Sequence, residues 1–196
     1  DWSVEHPRAG GLAWRLAMGS DLDLLYDAAR EISEQPRGAR VLDVPCGGGV
    51  AVRALRPAQG VEYVAADLSP AMLARTARLA ERRGVESLVT TVEADVGALP
   101  FADASYDLVV SFTGLHCFPD PARAITELVR VLRPGGVLPG SAFLHDTGLR
   151  HEPARRGRRP TGLLRPGRTG VPLLAWLPRL SVPDVTLPPC RVPPLP

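Results

Sequence analysis

Val41-Leu42-Asp43-Val44-Pro45-Cys46-Gly47-Gly48-Gly49 sets a short apolar run, an acid and three glycines ahead of an Ala/Val/Arg/Leu pattern that starts at Val50. The order predicts a buried strand, a tight turn and the N-terminus of a helix over about 48–56. In a parallel α/β sheet such a turn lies at the carboxyl edge, where ligands bind. Glycines there let a ligand approach the backbone without a Cβ in the way, and a helix start offers unpaired N–H groups. Taken alone, a glycine-rich turn is as often a purely structural one.

Two acids sharpen it. Asp43 closes the first apolar run, before the glycines, where a dinucleotide fingerprint has its first glycine. Asp67 closes the next run, Val61-Glu62-Tyr63-Val64-Ala65-Ala66-Asp67. An acid at the end of the second strand is suited to accept hydrogen bonds from both ribose hydroxyls of a nucleoside. The pair reads as one nucleoside-shaped site.

Further along, Ser69-Pro70 predicts a helix with an oxygen-bearing cap and proline at its first position, ending at Arg82-Arg83-Gly84. Val89–Val92 reads as a third strand and Tyr106–Ser111 as a fourth. Asp120-Pro121 opens another helix, whose Ile125, Leu128, Val129 and Leu132 form one apolar face. Arg133-Pro134-Gly135-Gly136 is expected to end it and turn into a fifth strand, Val137 to Leu144, which Pro139 should interrupt. Upstream, Leu22, Leu25, Ala29 and Ile32 predict a leading helix from Ser20 to about Pro36.

Composition narrows the class. At 196 residues and 45% hydrophobic, the chain can bury one sizeable core. A net charge of +2 gives no argument for nucleic acid or a membrane surface. Every one of the 23 basic side chains is Arg, a bias that points to a GC-rich coding source rather than to function. Cys46, Cys117 and Cys190 form neither a CxxC pair nor a disulfide framework, which suits the cytoplasm, and no metal site is expected. No signal peptide or long apolar span is apparent. The chain opens on Asp1, so a preceding segment is left open.

In this order and spacing, VLDVPCGGG (41–49), YVAADLSPAML (63–73), VEADVGALPFADASYDLVV (92–110) and VLRPGG (131–136) resemble a class I S-adenosylmethionine-dependent methyltransferase of the small-molecule, ubiquinone/menaquinone-biosynthesis-like branch. The resemblance implies a Rossmann-like three-layer α/β sandwich, with a mostly parallel sheet, helices on both faces and C-terminal strands that are incomplete here. It implies methyl transfer from S-adenosylmethionine to a small-molecule acceptor. Residues 1–37 would be a helical lid segment, 38–148 the cofactor-binding core and 149–196 an Arg/Pro-rich tail.

Carried over residue by residue, Asp43, Gly47 and Gly49 would contact the amino-acid part of the cofactor, with Val44, Pro45 and Cys46 in the same turn. Asp67 would hold the ribose, flanked by Leu68 and Met72, while Asp95 would bond the adenine amino group and Val96 cover the ring. Ser111 and Phe112 would close the cofactor site from the fourth strand. Pro45 departs from the family's Asp-x-Gly-x-Gly-x-Gly, because proline cannot take a positive φ. On the following loop, His116 is either a general base or a residue that lines the pocket. Trp14 and Tyr26 lie in the leading segment, with packing on the sheet edge as their plainer role.

The tail stays open between two readings: a basic arm that contacts phosphates, or a degraded form of the family's C-terminal strands. Eleven of the 21 prolines lie from Pro153 onward, while Val171–Leu177 and Asp184–Leu187 keep strand-like character. Two rival functions remain, a non-catalytic cofactor-binding protein and an NAD-dependent oxidoreductase. Oligomeric state cannot be read from these residues.

Overall fold

The structure, a computed structural model, describes residues 23–141 apart from Thr113 and His116, with side chains from Ala29 to Gly140. Trp14, the side chain of Tyr26, His116 and the tail segments therefore lie outside the described residues. In chain order the elements are α1 (Asp23–Glu34), β1 (Arg40–Asp43), β2 (Glu62–Asp67), α2 (Pro70–Arg83), β3 (Val89–Glu93), β4 (Tyr106–Phe112), α3 (Pro121–Val131), β5 (Leu132–Val137) and β6 (Gly140–Ser141). Single 3₁₀ turns sit at Ala51–Ala54 and Glu86–Leu88.

The sheet runs β3-β2-β1-β4-β5, and every recorded pairing is parallel. After β3 the chain crosses back to lay β4 on the free side of β1. That reversal opens a crevice at the carboxyl ends of β1 and β4, the switch point where α/β sheets bind ligands. Alternation along the strands feeds two cores. Val41, Tyr63, Ala65, Leu108 and Val110 pack with Ile32 of α1, Val52 of the 3₁₀ turn and Leu79 of α2. On the opposite face Leu42, Val44, Ala66 and Val109 pack with Ala124, Leu128 and Val131 of α3. Burial on both faces is why β1 and β4 are almost unbroken apolar runs.

Three expectations need correction. The helix over 48–56 is only the turn Ala51–Ala54. Gly49 takes φ +84°, and Pro57 bars Arg56 from helical geometry, so little chain is left to propagate. Ser69 precedes α2 as expected, but its hydroxyl makes no cap bond; its N–H donates instead to Asp67 Oδ1 at 2.9 Å. The fifth strand does not begin at Val137. Pairing starts at Leu132, opposite Tyr106, and Arg133–Gly136 then bulges out before Val137 meets Leu108. Past that bulge Gly140 pairs with Ser111. Pro139 accepts from the Ser111 N–H at 3.1 Å, so its own hydrogen-less nitrogen also faces β4 and a rung is lost there. The break between β5 and β6 has that origin.

Leu132, expected on the apolar face of α3, instead opens β5, and α1 is described only from Asp23, so its start at Ser20 lies outside the described residues. Two helix-end signals agree with their elements. Gly84 ends α2 at φ +65°, and Asp120 Oδ1 accepts the Arg123 N–H at 3.1 Å to cap α3.

Candidate functional site

The turn after β1 is suspended from its neighbours by backbone bonds. Val44 N–H donates to Val110 C=O at 3.0 Å, and Cys46 N–H to Ala66 C=O at 2.9 Å. Gly47 N–H donates to Asp67 Oδ2 at 2.9 Å. From α2 the Thr76 hydroxyl donates to Gly47 C=O at 2.9 Å and lies 3.6 Å from Cys46 Sγ. Strand ends β1 and β2, the turn and the first half of α2 are thereby joined into one edge.

Positive φ falls at Gly47 (+51°) and Gly49 (+84°), not at Pro45, and the Val44–Pro45 peptide is cis. The two glycines differ. A Cβ at Gly49 would lie 3.1 Å from Thr76 Oγ1 and Leu79 Cδ2, whereas one at Gly47 would meet nothing within 4 Å. Gly49 is a packing glycine; at Gly47 the space a Cβ would take is open.

Asp43 is 1% exposed and accepts the Tyr63 hydroxyl on Oδ2 at 2.7 Å. Burial pushes its pKa up to about 7, the Tyr63 bond opposing and the Asp67 charge adding to the shift. Tyr63, buried beside that carboxyl, is held well above the usual phenol range by burial and then by the Asp43 charge. Burial and the Asp43 charge push the Cys46 thiol up to about 12, so it stays a thiol at neutral pH.

Asp67 is 8% exposed, and each of its carboxylate oxygens already accepts one backbone N–H, from Gly47 and Ser69. Each oxygen keeps a further lone pair. Next in the chain stands Leu68, at 67% the one exposed large apolar side chain among the described residues, with Met72 half-buried beyond it. Across β3, Asp95 is exposed and Val96 buried; Asp95 Oδ1 accepts the Gly97 N–H at 2.8 Å. Ser111 and Phe112 end β4 and are buried, and the Ser111 hydroxyl has no hydrogen-bond partner among the described residues.

The residues expected at the site thus stand along one carboxyl edge, on the ends of β1, β2, β3 and β4. An open cradle at Gly47, two buried carboxyls and a Ser111 hydroxyl with no partner among the described residues fit a polar, cationic group better than a dry packing contact. Among the described residues no cluster of His, Cys, Asp and Glu could hold a metal.

Three contributors were not expected from sequence. Tyr63 carried a signal, since a tyrosine inside an otherwise aliphatic buried strand needs a partner for its hydroxyl. Thr76 carried none, being one polar residue on an amphipathic helix. Arg130 anchors the loop after β3: it bonds Glu127 with two nitrogens at 2.8 Å each, Phe101 C=O at 2.8 Å, Leu99 C=O at 3.0 Å and Asp103 at 2.6 Å. Arg123 adds a 2.6 Å bond to Gly97 C=O. The Asp95–Val96 loop is held to α3 through these arginines.

Known proteins resemble this chain in sequence and fold. A family model described as a methyltransferase domain matches residues 42–139. Demethylmenaquinone methyltransferase of Thermus thermophilus is 41% identical over 133 residues, 67% of this chain and 59% of that protein. Phthiotriol/phenolphthiotriol dimycocerosates methyltransferase of Mycobacterium leprae is 40% identical over 105 residues, 52% of this chain and 36% of its own length. Among solved structures, that of the (4+2) cyclase SpnF superposes with a TM-score of 0.54 at 32% identity, covering 59% of this chain and 43% of that one. The YcgJ protein of Bacillus subtilis gives 0.50 at 28%, covering 57% and 48%. The chain spans 59% of the Thermus relative and about a third of the Mycobacterium one.

Proposed function

The chain belongs to the methyltransferase domain family, and from that premise we propose that it is a transferase that moves a methyl group from S-adenosylmethionine to a small-molecule acceptor. One observation carries the reading: two buried acids, Asp43 and Asp67, end adjacent parallel strands on either side of the open turn at Gly47.

On this reading Asp43 faces the ammonium of the donor's amino-acid part, with Gly47 and Gly49 shaping its bed and Val44, Pro45 and Cys46 forming the rest of the turn. Asp67 accepts from the ribose hydroxyls through its remaining lone pairs. Asp95 and Val96 take the adenine, Leu68 and Met72 its apolar flank, and Ser111 and Phe112 the side toward the acceptor. The sulfonium, once bound, supplies an already electrophilic methyl group. The chain's own contribution is in-line positioning and exclusion of water. His116, on the loop after β4, is the candidate base for an acceptor that must lose a proton.

Methylation in the cytoplasm suits Cys46 and Cys117, neither of which is in a disulfide. No helix among the described residues is long and apolar enough to cross a membrane. The Thermus relative's name makes demethylmenaquinone the first acceptor to assay. Calorimetric titration with S-adenosylmethionine and S-adenosylhomocysteine tests the donor site: saturable binding with turnover of an acceptor supports the proposal, and no binding by folded protein refutes it.

A second reading keeps the cofactor and drops the transfer. It is favoured by the SpnF superposition, because that protein is named as a cyclase. Tight donor binding without turnover across a broad acceptor panel would select it.

A further inference from the structure

We propose that Tyr63 is a positioning residue for the methyl donor: its buried hydroxyl favours the anionic form of the Asp43 carboxyl, the form that receives the donor's ammonium group. The inference rests on the reading of this crevice as an S-adenosylmethionine site.

The geometry is specific. Tyr63 pairs with Val41 in the β1–β2 register, one pleat behind Asp43 on the same face. From there the long side chain reaches forward along the sheet to place its hydroxyl 2.7 Å from Asp43 Oδ2. Both residues are 1% exposed, so no bulk water competes for either group. An unpaired phenol at this depth would be costly, and so would an unpaired carboxylate; each satisfies the other.

The titratable groups acting on Asp43 are Tyr63 and Asp67 from β2, with Cys46 in the turn beside it. From α2, Thr76 reaches the same turn as an uncharged donor to Gly47 C=O. Asp67 opposes ionisation of Asp43 and Tyr63 favours it. Because the phenol itself resists ionisation, it remains a donor across the neutral range. Without Tyr63, desolvation and the Asp67 charge act unopposed. Asp43 would then be protonated at neutral pH and unable to meet an ammonium as its counter-charge.

Tyr63→Phe keeps the ring that fills the core and removes only the hydroxyl. Two readings should be taken on wild type and variant: the Asp43 side-chain carboxyl resonance against pH without ligand, and calorimetric affinity for S-adenosylhomocysteine from pH 6 to 9. The carboxyl midpoint is expected to rise by about one pH unit, the size of one hydrogen bond to a charged group. Affinity at pH 7 is expected to fall about fivefold to tenfold and to approach wild type at pH 9. A variant whose carboxyl midpoint does not move overturns the proposal, as does an affinity loss that is constant with pH, the mark of a merely structural role.

Absence of S-adenosylhomocysteine binding by the wild type at every pH defeats the donor-site reading instead, and the unliganded carboxyl titration still reports on the Tyr63–Asp43 bond. Should the variant not fold, the wild-type Tyr63 hydroxyl proton serves. It must move downfield as Asp43 ionises, and a resonance indifferent to that titration overturns the proposal.

Discussion

The amide of Gly47 donates to Oδ2 of Asp67 at 2.9 Å, while the other oxygen of the same carboxylate takes the amide of Ser69. One side chain thus ties the turn after β1 to the entry of α2. Asp67→Ala leaves two donors unpaired and should cost about 2–3 kcal/mol of stability. Asp67→Asn, which keeps one acceptor oxygen, should cost about half of that. S-adenosylhomocysteine affinity should fall more than tenfold in the alanine variant. Urea unfolding and calorimetry check both effects, and an alanine variant as stable as wild type would show that the tie has no energetic weight.

Gly47 and Gly49 both have positive φ but should respond differently to alanine. At Gly49 the methyl meets Thr76 and Leu79 at 3.1 Å as well as the φ penalty, so Gly49→Ala should lose about 2–3 kcal/mol. Gly47→Ala carries the φ penalty alone, about 1 kcal/mol. Its methyl would occupy the space assigned to the donor, so its cost should appear mainly in affinity, at least tenfold by calorimetry. Equal affinity losses in the two variants would remove the distinction between packing and binding glycines.

Asp43 makes stability depend on pH in an unusual direction for an acid. Its folded pKa of about 7 lies above the ordinary value of 3.8, so between those values the folded state binds more protons than the unfolded. Its contribution is fully present below about pH 4, declines as pH rises and is gone above about pH 7. The slope is at most about 1.4 kcal/mol per pH unit. Asp43→Asn removes this dependence, so the stability of the variant minus that of wild type should rise from pH 4 to 7 and then level off. Thermal unfolding at a series of pH values measures it, and a flat difference would mean that Asp43 titrates normally.

Arg130 gathers Glu127, Asp103 and the carbonyls of Leu99 and Phe101 on one guanidinium. The bonded guanidinium lowers the Glu127 pKa, so this pair stabilises above the usual carboxylate range and loses its effect as pH falls through the lowered value. Partial exposure moderates the electrostatic share. Arg130→Gln should cost about 2 kcal/mol, mostly from the stranded carbonyls and the unpaired Glu127. Hydrogen exchange at the Leu99 amide, which Glu127 accepts at 2.8 Å, should quicken; unchanged exchange would place the loop's anchorage elsewhere.

What could be read in the residues follows the range of the forces involved. Pro70, Gly84 and Asp120 act on their own turns of chain, and the limits of α2 and the start of α3 followed from them. The order of Asp43, the glycines and Asp67 was enough for a parallel sheet with these residues along its carboxyl edge. The aborted helix after Gly49 was hidden because its apolar pattern is genuine, and Pro57 truncates it from beyond its end. Pro139 announced a broken strand, but the bulge at Arg133–Gly136 depends on where β4 lies, which no local pattern specifies. Tyr63, Thr76 and Arg130 bond across 20 to 31 residues of sequence, so their partners emerge only when the sheet is assembled.

Gly114, on the loop after β4, has no room for a side chain: a Cβ there would drive into the ring of Pro45 and come within 3.1 Å of Phe118. A hydrogen atom is the largest substituent that position can carry. The near approach of the two loops that flank the crevice is therefore limited by a hard mechanical stop, a proline ring against bare backbone, with no charge or hydrogen bond in it. Protonation and ionic strength tune the carboxyls at this edge, yet the gauge of the crevice floor at that contact is indifferent to both.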